Sequence, residues 1–290
     1  MKEYIPKTLL LLLFLDLLVW ETMRPCKEFR YQKKRARIWH GTTNISVGLI
    51  GTVISYVLFL PIWQIAAQWS GRHGWGLLHL MPKNLAGIVF LAVVLLDIWT
   101  YWWHRMNHRI RFLWRFHRMH HSDPWMDTTS AQRFHPGEII FSSMLRIPVI
   151  ILFSLELWHV ALYDSIMLAV VMFHHSNIAV PDRADRLLRL IIPTPIMHKI
   201  HHSRERSETD SNYTSLFSIW DRIFVSIRMR PDWKSVSFGL HGYDSPDNQS
   251  WAGLIKTPFR NAAKRSSSQF DKNKKPQDNK GLENIGTDVK

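Results

Sequence analysis

Five apolar runs lay out this chain: residues 5–20, 45–69, 86–103, 139–155 and 158–173. A helix needs about 20 apolar residues to cross the hydrocarbon core of a bilayer, so the pattern predicts membrane helices rather than a water-soluble fold. The first run is short and interrupted by Lys7 and Asp16. No small-residue cleavage site follows it and no lipobox precedes Cys26, so it reads as a retained first helix. The second is long enough to span with tilt, and the third returns through the membrane and runs directly into His104. The last two are separated by little more than Glu156, as in a hairpin that dips into the bilayer and back. The expected fold class is all-α and integral to the membrane, with about four to five transmembrane or membrane-dipping helices.

Past Pro258 the chain turns polar and lysine-rich, with too few apolar residues to bury, and disorder is expected from about residue 260. The chain thus divides into an N-terminal membrane helix with a basic loop (1–43), a membrane domain carrying the candidate chemistry (44–242) and a C-terminal extension (243–290).

A formal charge of +14 would ordinarily raise nucleic acid as a partner. Its distribution gives a different reason. Residues 24–40 carry Arg24, Lys27, Arg30, Lys33, Lys34, Arg35 and Arg37, whereas 71–84 carry only Arg72 and Lys83. That asymmetry assigns the first loop to the cytoplasm and the second to the opposite face. With no recognisable docking element for it, nucleic acid is excluded as a partner. The 14 Trp and 15 Phe suit aromatic belts at the two membrane interfaces.

Candidate chemistry comes from histidine. His104 and His108, then His117, His120 and His121, then His198, His201 and His202 recur at i, i+3 and i+4 spacings, with His135, His174 and His175 between them. Residues three or four apart share a helix face, so each cluster aims its imidazoles at a common point. Neutral imidazole is a ligand for zinc, copper, iron and nickel. Cys26 is the one cysteine, which excludes an internal disulfide and any cysteine-rich zinc or iron–sulfur site. An even number of crossings between the clusters puts them all on the cytoplasmic side, as a histidine-rich cap, and the five arginines from Arg105 to Arg118 fit that face. His40, His73, His79, His159 and His241 fall outside the clusters and read as surface, interfacial or core residues.

The runs LLDIWTYWWHRMNH, LWRFHRMHHSD, FHPGE, FHHSNIAVP, TPIMHKIHHS and SNYTSLFSIWDRIF occur in that order between about Asn44 and Gly242. They resemble the fatty acid hydroxylase and sterol desaturase superfamily of integral-membrane di-iron oxygenases. The resemblance implies that two iron ions are held by His104, His108, His117, His120, His121, His175, His198, His201 and His202. It adds His135 as an extra ligand or a supporting group, and makes His174 the lesser member of its pair. It also implies O2 as co-substrate, a lipid substrate of sterol or fatty acyl type that is hydroxylated or desaturated, and a cytoplasmic active site. Electrons would come from an external donor of the cytochrome b5, ferredoxin or reductase type, since the chain carries no Gly-x-Gly-x-x-Gly or other dinucleotide motif.

Groups that orient the imidazoles through their second nitrogen are expected nearby. Asp97 lies seven residues before His104 on one helix face, or is simply a polar residue at a helix end; Asp210 and Asn212 follow the last cluster, or simply form a turn. Asp221 and Arg222 read as a structural ion pair. The competing function is a non-catalytic membrane protein that binds or transports a transition metal, but a transporter places ligands near the bilayer midplane, whereas these lie at the ends of apolar runs. Reporter tags after Arg37, His121 and His202 are expected in the cytoplasm and a tag near Gly74 on the opposite side. Tags at His121 and His202 on different faces would dismantle a single site.

Overall fold

The computed structural model describes residues 7–27, 34–82 and 84–260, and among these it is helical, with two isolated β-bridges in place of any sheet. Residues 28–33 of the basic loop and the tail expected to be disordered lie outside the described residues. Four segments are long and apolar enough to cross a membrane: Arg35–Leu80, Leu85–Arg109, Pro136–Phe153 and Leu157–His175. The protein is therefore an all-α integral membrane protein, and nine of its histidines gather at one end of the helices.

The first apolar run forms α1 (Lys7–Met23), which Pro25 follows and which at 17 residues is just shorter than the 18 residues of Pro136–Phe153, the shortest of the four spanning segments. Its Leu17 packs with Val171 and Met172. The second run is longer than its apolar part suggested. α2 (Lys34–Ile54) continues through a π-turn (Ser55–Phe59) into α3 (Leu60–Arg72). Pro61 explains the π-turn, because its ring lacks the N–H and crowds the preceding turn of an uninterrupted α-helix. The helix begins as early as Lys34, with an exposed first turn, and from His40 on it presents a polar face to the cap, where His40, Thr43 and Asn44 are buried.

α4 (Leu85–Arg109) starts where the Asn84 side chain accepts the Ala86 amide, and it breaks at extended Ile110 before α5 (Arg111–His121). α6 (Pro136–Phe153) and α7 (Leu157–His175) form the hairpin expected, turned by left-handed Ser154 and capped by Glu156. Trp63, Leu96, Ile150, Leu155 and Tyr163 fill the core between α3, α4, α6 and α7. At the end away from the clustered histidines, Gly76 (φ +106°) lies so close to the hairpin turn that a Cβ there would sit 2.5 Å from the Ser154 nitrogen. Only glycine fits that approach.

After α7 come α8 (Asp182–Leu188), α9 (Pro195–His201), and the short helical turns α10 (Arg206–Thr209), α11 (Ile219–Ile223), α12 (Pro246–Gln249) and α13 (Trp251–Ile255). Residues 243–259, the described part of the C-terminal extension, fold back over α5, and one compact unit runs through Phe259. Leu254 packs on Val47 and Met119, and Arg118 donates to the Thr257 carbonyl. Asp221 and Arg222 do not pair with each other. Asp221 accepts from the Tyr213 and Thr214 amides and Ser226, while Arg222 donates to the Ser218 and Arg189 carbonyls.

A buried ionic network locks α2 to the cap. His40 Nε2 lies 3.0 Å from both carboxylate oxygens of Asp123, and its Nδ1 lies 3.3 Å from Asp127. Fully inaccessible Arg133 donates to the Met119 carbonyl, Asn44, Ser122 and Gln249, joining α2, α5 and the C-terminal turn. Burial alone would raise the Asp123 carboxyl, but His40 and Arg133 outweigh it and hold Asp123 well below the usual carboxylate range. His40 is thus a core residue whose loss strands two buried carboxylates. His40→Ala is expected to lower unfolding stability by about 3–5 kcal/mol while the folded fraction keeps its metal-binding capacity. Thermal unfolding in detergent tests this, and an unchanged midpoint would contradict it.

Candidate metal centre

The two His-x-x-His-His motifs lie on different helices and each divides its histidines between two neighbouring groups. On a helix, residues i and i+4 point almost together while i+3 points to one side. In α5, His117 and His121 therefore face His104 and His108 of α4, leaving His120 turned away; in α9, His198 and His202 face His120, leaving His201 turned back. The result is one group of five, His104, His108, His117, His121 and His201, and one of four, His120, His175, His198 and His202. Within each group the ligand nitrogens lie within 4.8 Å of one another.

The spacing suits coordination. His201 and His104 bring their Nε2 atoms to 3.1 Å, as do His175 and His120, and His198 and His175. Two imidazoles at right angles on one ion, each about 2.1 Å from it, are about 3.0 Å apart. His108 Nε2, His117 Nε2 and His121 Nε2 are buried among the described residues with no hydrogen-bond partner, an arrangement that is costly unless an ion takes the lone pairs. Burial lowers the pKa values of His120, His121, His198, His201 and His202, with neighbouring imidazoles adding to the effect; His201 falls to about 3. These rings are neutral, the form that ligates, throughout the physiological range. The residues present therefore fit a pair of nitrogen-ligated transition-metal ions.

Hydrogen bonds from the second ring nitrogen fix several rings. His104 Nδ1 donates to the Tyr213 carbonyl at 2.6 Å, His201 Nδ1 to the Ser211 carbonyl at 2.6 Å and His175 Nδ1 to the Val171 carbonyl at 2.8 Å. Each bond leaves Nε2 as the free donor to a metal. Asn212 stands between the first two carbonyls with φ at +51°, and its side chain binds the Met197 and Arg228 backbone, which holds that loop in place. Asp210 brings a carboxylate oxygen to 3.6 Å from His108 Nδ1.

Not every expected site residue joins the cluster. His135 caps the start of α6, its Nδ1 accepting from the Gly137 amide and its Nε2 lying 3.1 Å from the Ile255 carbonyl. Both nitrogens are engaged, and the ring belongs to neither group. His174 stacks on His198 with centroids 3.9 Å apart, also outside both groups. Asp97 accepts from Tyr163, the Phe217 amide and Trp220, so among the described residues it ties α4 to α7 and to the chain before α11 rather than to an imidazole.

Glu138 was missed. It lies in the first turn of α6, almost inaccessible, and its Oε1 accepts from His117 Nδ1 at 2.8 Å and from Asn107. The signal was present, an acid in the first turn after a His-Pro step and beside a histidine-rich region, but the histidine of FHPGE drew attention first. Gly137 makes the approach possible, since a Cβ there would sit 2.6 Å from the Phe116 ring on α5. Carboxylate-backed histidines are stronger metal donors, so Glu138→Gln is expected to weaken metal binding at the five-histidine group by about 10–100-fold. Competition titration with a metal chelator measures this, and an unchanged affinity would show that Glu138 does not tune the site.

Comparison with known proteins comes to the same region. Residues 89–226 match the fatty acid hydroxylase family model. The chain is 29% identical to alkylglycerol monooxygenase of Danio rerio over 160 residues, covering 55% of this chain and 34% of that protein. It is 30% identical to the ornithine lipid hydroxylase of Rhizobium tropici over 170 residues, 57% of this chain and 49% of that protein. With lathosterol oxidase of Mus musculus the identity is 25% over 204 residues, 70% and 62% of the two chains. The chain thus spans between a third and a half of the first two relatives. No solved structure matches it.

Proposed function

Because the chain belongs to the fatty acid hydroxylase and sterol desaturase superfamily, we propose that it is a membrane oxygenase that hydroxylates or desaturates a lipid by means of two iron ions. The observation that carries this reading is the buried pair of imidazole groups, five and four, side by side at the ends of the apolar helices. His104, His108, His117, His121 and His201 would hold one ion, and His120, His175, His198 and His202 the other. When bound, the iron pair supplies the O2 chemistry, which for hydroxylation takes one O2, two electrons and two protons to insert one oxygen into a C–H bond and release one water.

The chain's own part is to bind and orient. Neutral, desolvated imidazoles would leave the positive charge of bound ions largely uncompensated, which would favour anionic ligands over water. The Tyr213, Ser211 and Val171 carbonyls and the Glu138 carboxylate fix the direction of four rings. Burial of the site keeps bulk water from competing for the open positions. A membrane lipid as substrate is consistent with relatives named for alkylglycerol, ornithine lipid and lathosterol. The reading includes an external electron donor, in keeping with a sequence in which no flavin or dinucleotide motif occurs, and a site on the cytoplasmic face, which the basic loop at 24–40 supports.

Protein purified without oxygen is expected to carry about two irons per chain, since imidazole donors suit iron and the family match points to it among the metals they accept. Lipid extracts of cells expressing the parent are expected to contain an oxidised or newly unsaturated lipid that vanishes in His120→Ala and His201→Ala. Metal analysis and mass spectrometry decide it. Only traces of transition metal in folded protein, or undiminished product from His120→Ala, would overturn the assignment.

A further inference from the structure

The cap carries an apolar rim that the metal site does not use. Leu187, Leu190, Ile191, Ile219, Ile223 and Val225 are all exposed, Val225 to 89%. They come from two segments, α8 with the residues after it and α11, which are fastened together. The Ser218 amide donates to the Ile191 carbonyl at 2.9 Å, and Arg222 and the Ser218 hydroxyl both donate to the Arg189 carbonyl at 2.7 Å.

The position of this rim is set by α4. Trp220 Nε1 donates to Asp97 at 2.7 Å, and the Phe224 ring lies 5.1 Å from Tyr101 and 4.9 Å from Trp102. Asp97 precedes the end of α4 at Arg109 by twelve residues, about 18 Å along the helix axis. The rim therefore stands beside the apolar length of a membrane-spanning helix and is continuous with its outer face, where Trp102 is itself exposed. Exposed Arg183 and Arg186 lie on α8 among the aliphatic residues, the mixture found in segments that lie in a membrane interface.

Val225 adds an independent sign. Its φ is +52°, a conformation that a β-branched residue rarely adopts. The turn is closed by the Asp221 carbonyl, which accepts from the Ser226 amide at 2.8 Å and the Ile227 amide at 3.0 Å, and it holds the valine outward. A strained turn that presents aliphatic carbon to water gains nothing; one that presents it to acyl chains does.

We propose that the rim formed by α8 and α11 is sunk into the leaflet on which the cap sits, its aliphatic side chains in contact with the acyl chains of membrane lipids. The rim rests on the membrane architecture and not on the reaction, so the two stand or fall separately. The test uses full-length protein in nanodiscs of phosphatidylcholine and phosphatidylglycerol, with Cys26→Ser as background. Nitroxide labels are attached to Ile191→Cys, Ile223→Cys and Val225→Cys, and collisions with O2 and with a water-soluble nickel chelate are compared. Phe90→Cys on the outer face of α4 and His241→Cys on the polar surface are the references, both exposed. The rim labels are expected to match the Phe90 label, with an oxygen-to-nickel collision ratio several-fold above that at His241. A ratio like that at His241 would place the rim in water, and shielding from both reagents would mean that a protein surface or a second copy of the chain covers it. Either result would overturn the proposal.

Discussion

Nine imidazoles sharing a dry interior is the constraint on which the rest of this structure depends. Each ring brings a lone pair and an N–H out of water, and either one left unmatched costs free energy comparable to a lost hydrogen bond. The fold answers with three kinds of partner. Backbone carbonyls take the Nδ1 protons of His104, His175 and His201, a carboxylate takes that of His117, and the remaining lone pairs converge where two ions fit. Four helices from distant parts of the sequence must be fixed to well within an ångström for this to work. The polar locks around the site follow from that demand: the His40, Asp123, Asp127 and Arg133 network, the Asp97 bridge from α4 to α7, and the C-terminal turns pressed onto α5.

The two groups are supported unequally. Around the five-histidine group stand Glu138, the Tyr213 and Ser211 carbonyls and, at 3.6 Å, Asp210. In the four-histidine group the Val171 carbonyl supports His175, while among the described residues the Nδ1 atoms of His120, His198 and His202 are buried without a hydrogen-bond partner, as are those of His108 and His121 in the other group. Negative charge near a ligand raises its donor strength, so the fold concentrates its electrostatic support on one side of the pair.

How much of this was legible in the sequence depended on the range of each interaction. The apolar runs and the i, i+4 histidine spacings are local signals, and they located the long helices, the α6–α7 hairpin and eight of the nine clustered histidines; His175 was distinguished from His174 by the family resemblance alone. Whatever needed a distant partner was not legible. Nothing near His40 in sequence announces Asp123, 83 residues away, so the polar start of α2 went unrecognised. His135 looked like a ligand because its neighbours in sequence are chemical, yet the helix start it caps and the Ile255 carbonyl 120 residues later occupy both its nitrogens. Asp97 has the register of a supporting acid but is turned toward Tyr163 and Trp220, which a helix-face count on α4 alone does not reveal. The return of residues 243–259 was hidden for a similar reason: Leu254 stands in the short apolar run WAGLI, and its partners Val47 and Met119 lie on other helices.

The central claim is that two adjacent, separable groups of imidazoles each hold one ion. Counting metal in reconstituted His108→Ala and His202→Ala beside the parent tests it most directly, because these residues belong to different groups. The account predicts about two ions in the parent and about one in each variant, with the remaining ion keeping an all-nitrogen environment. Loss of both ions from each variant, or of neither, in protein that remains folded, would contradict the division into two groups.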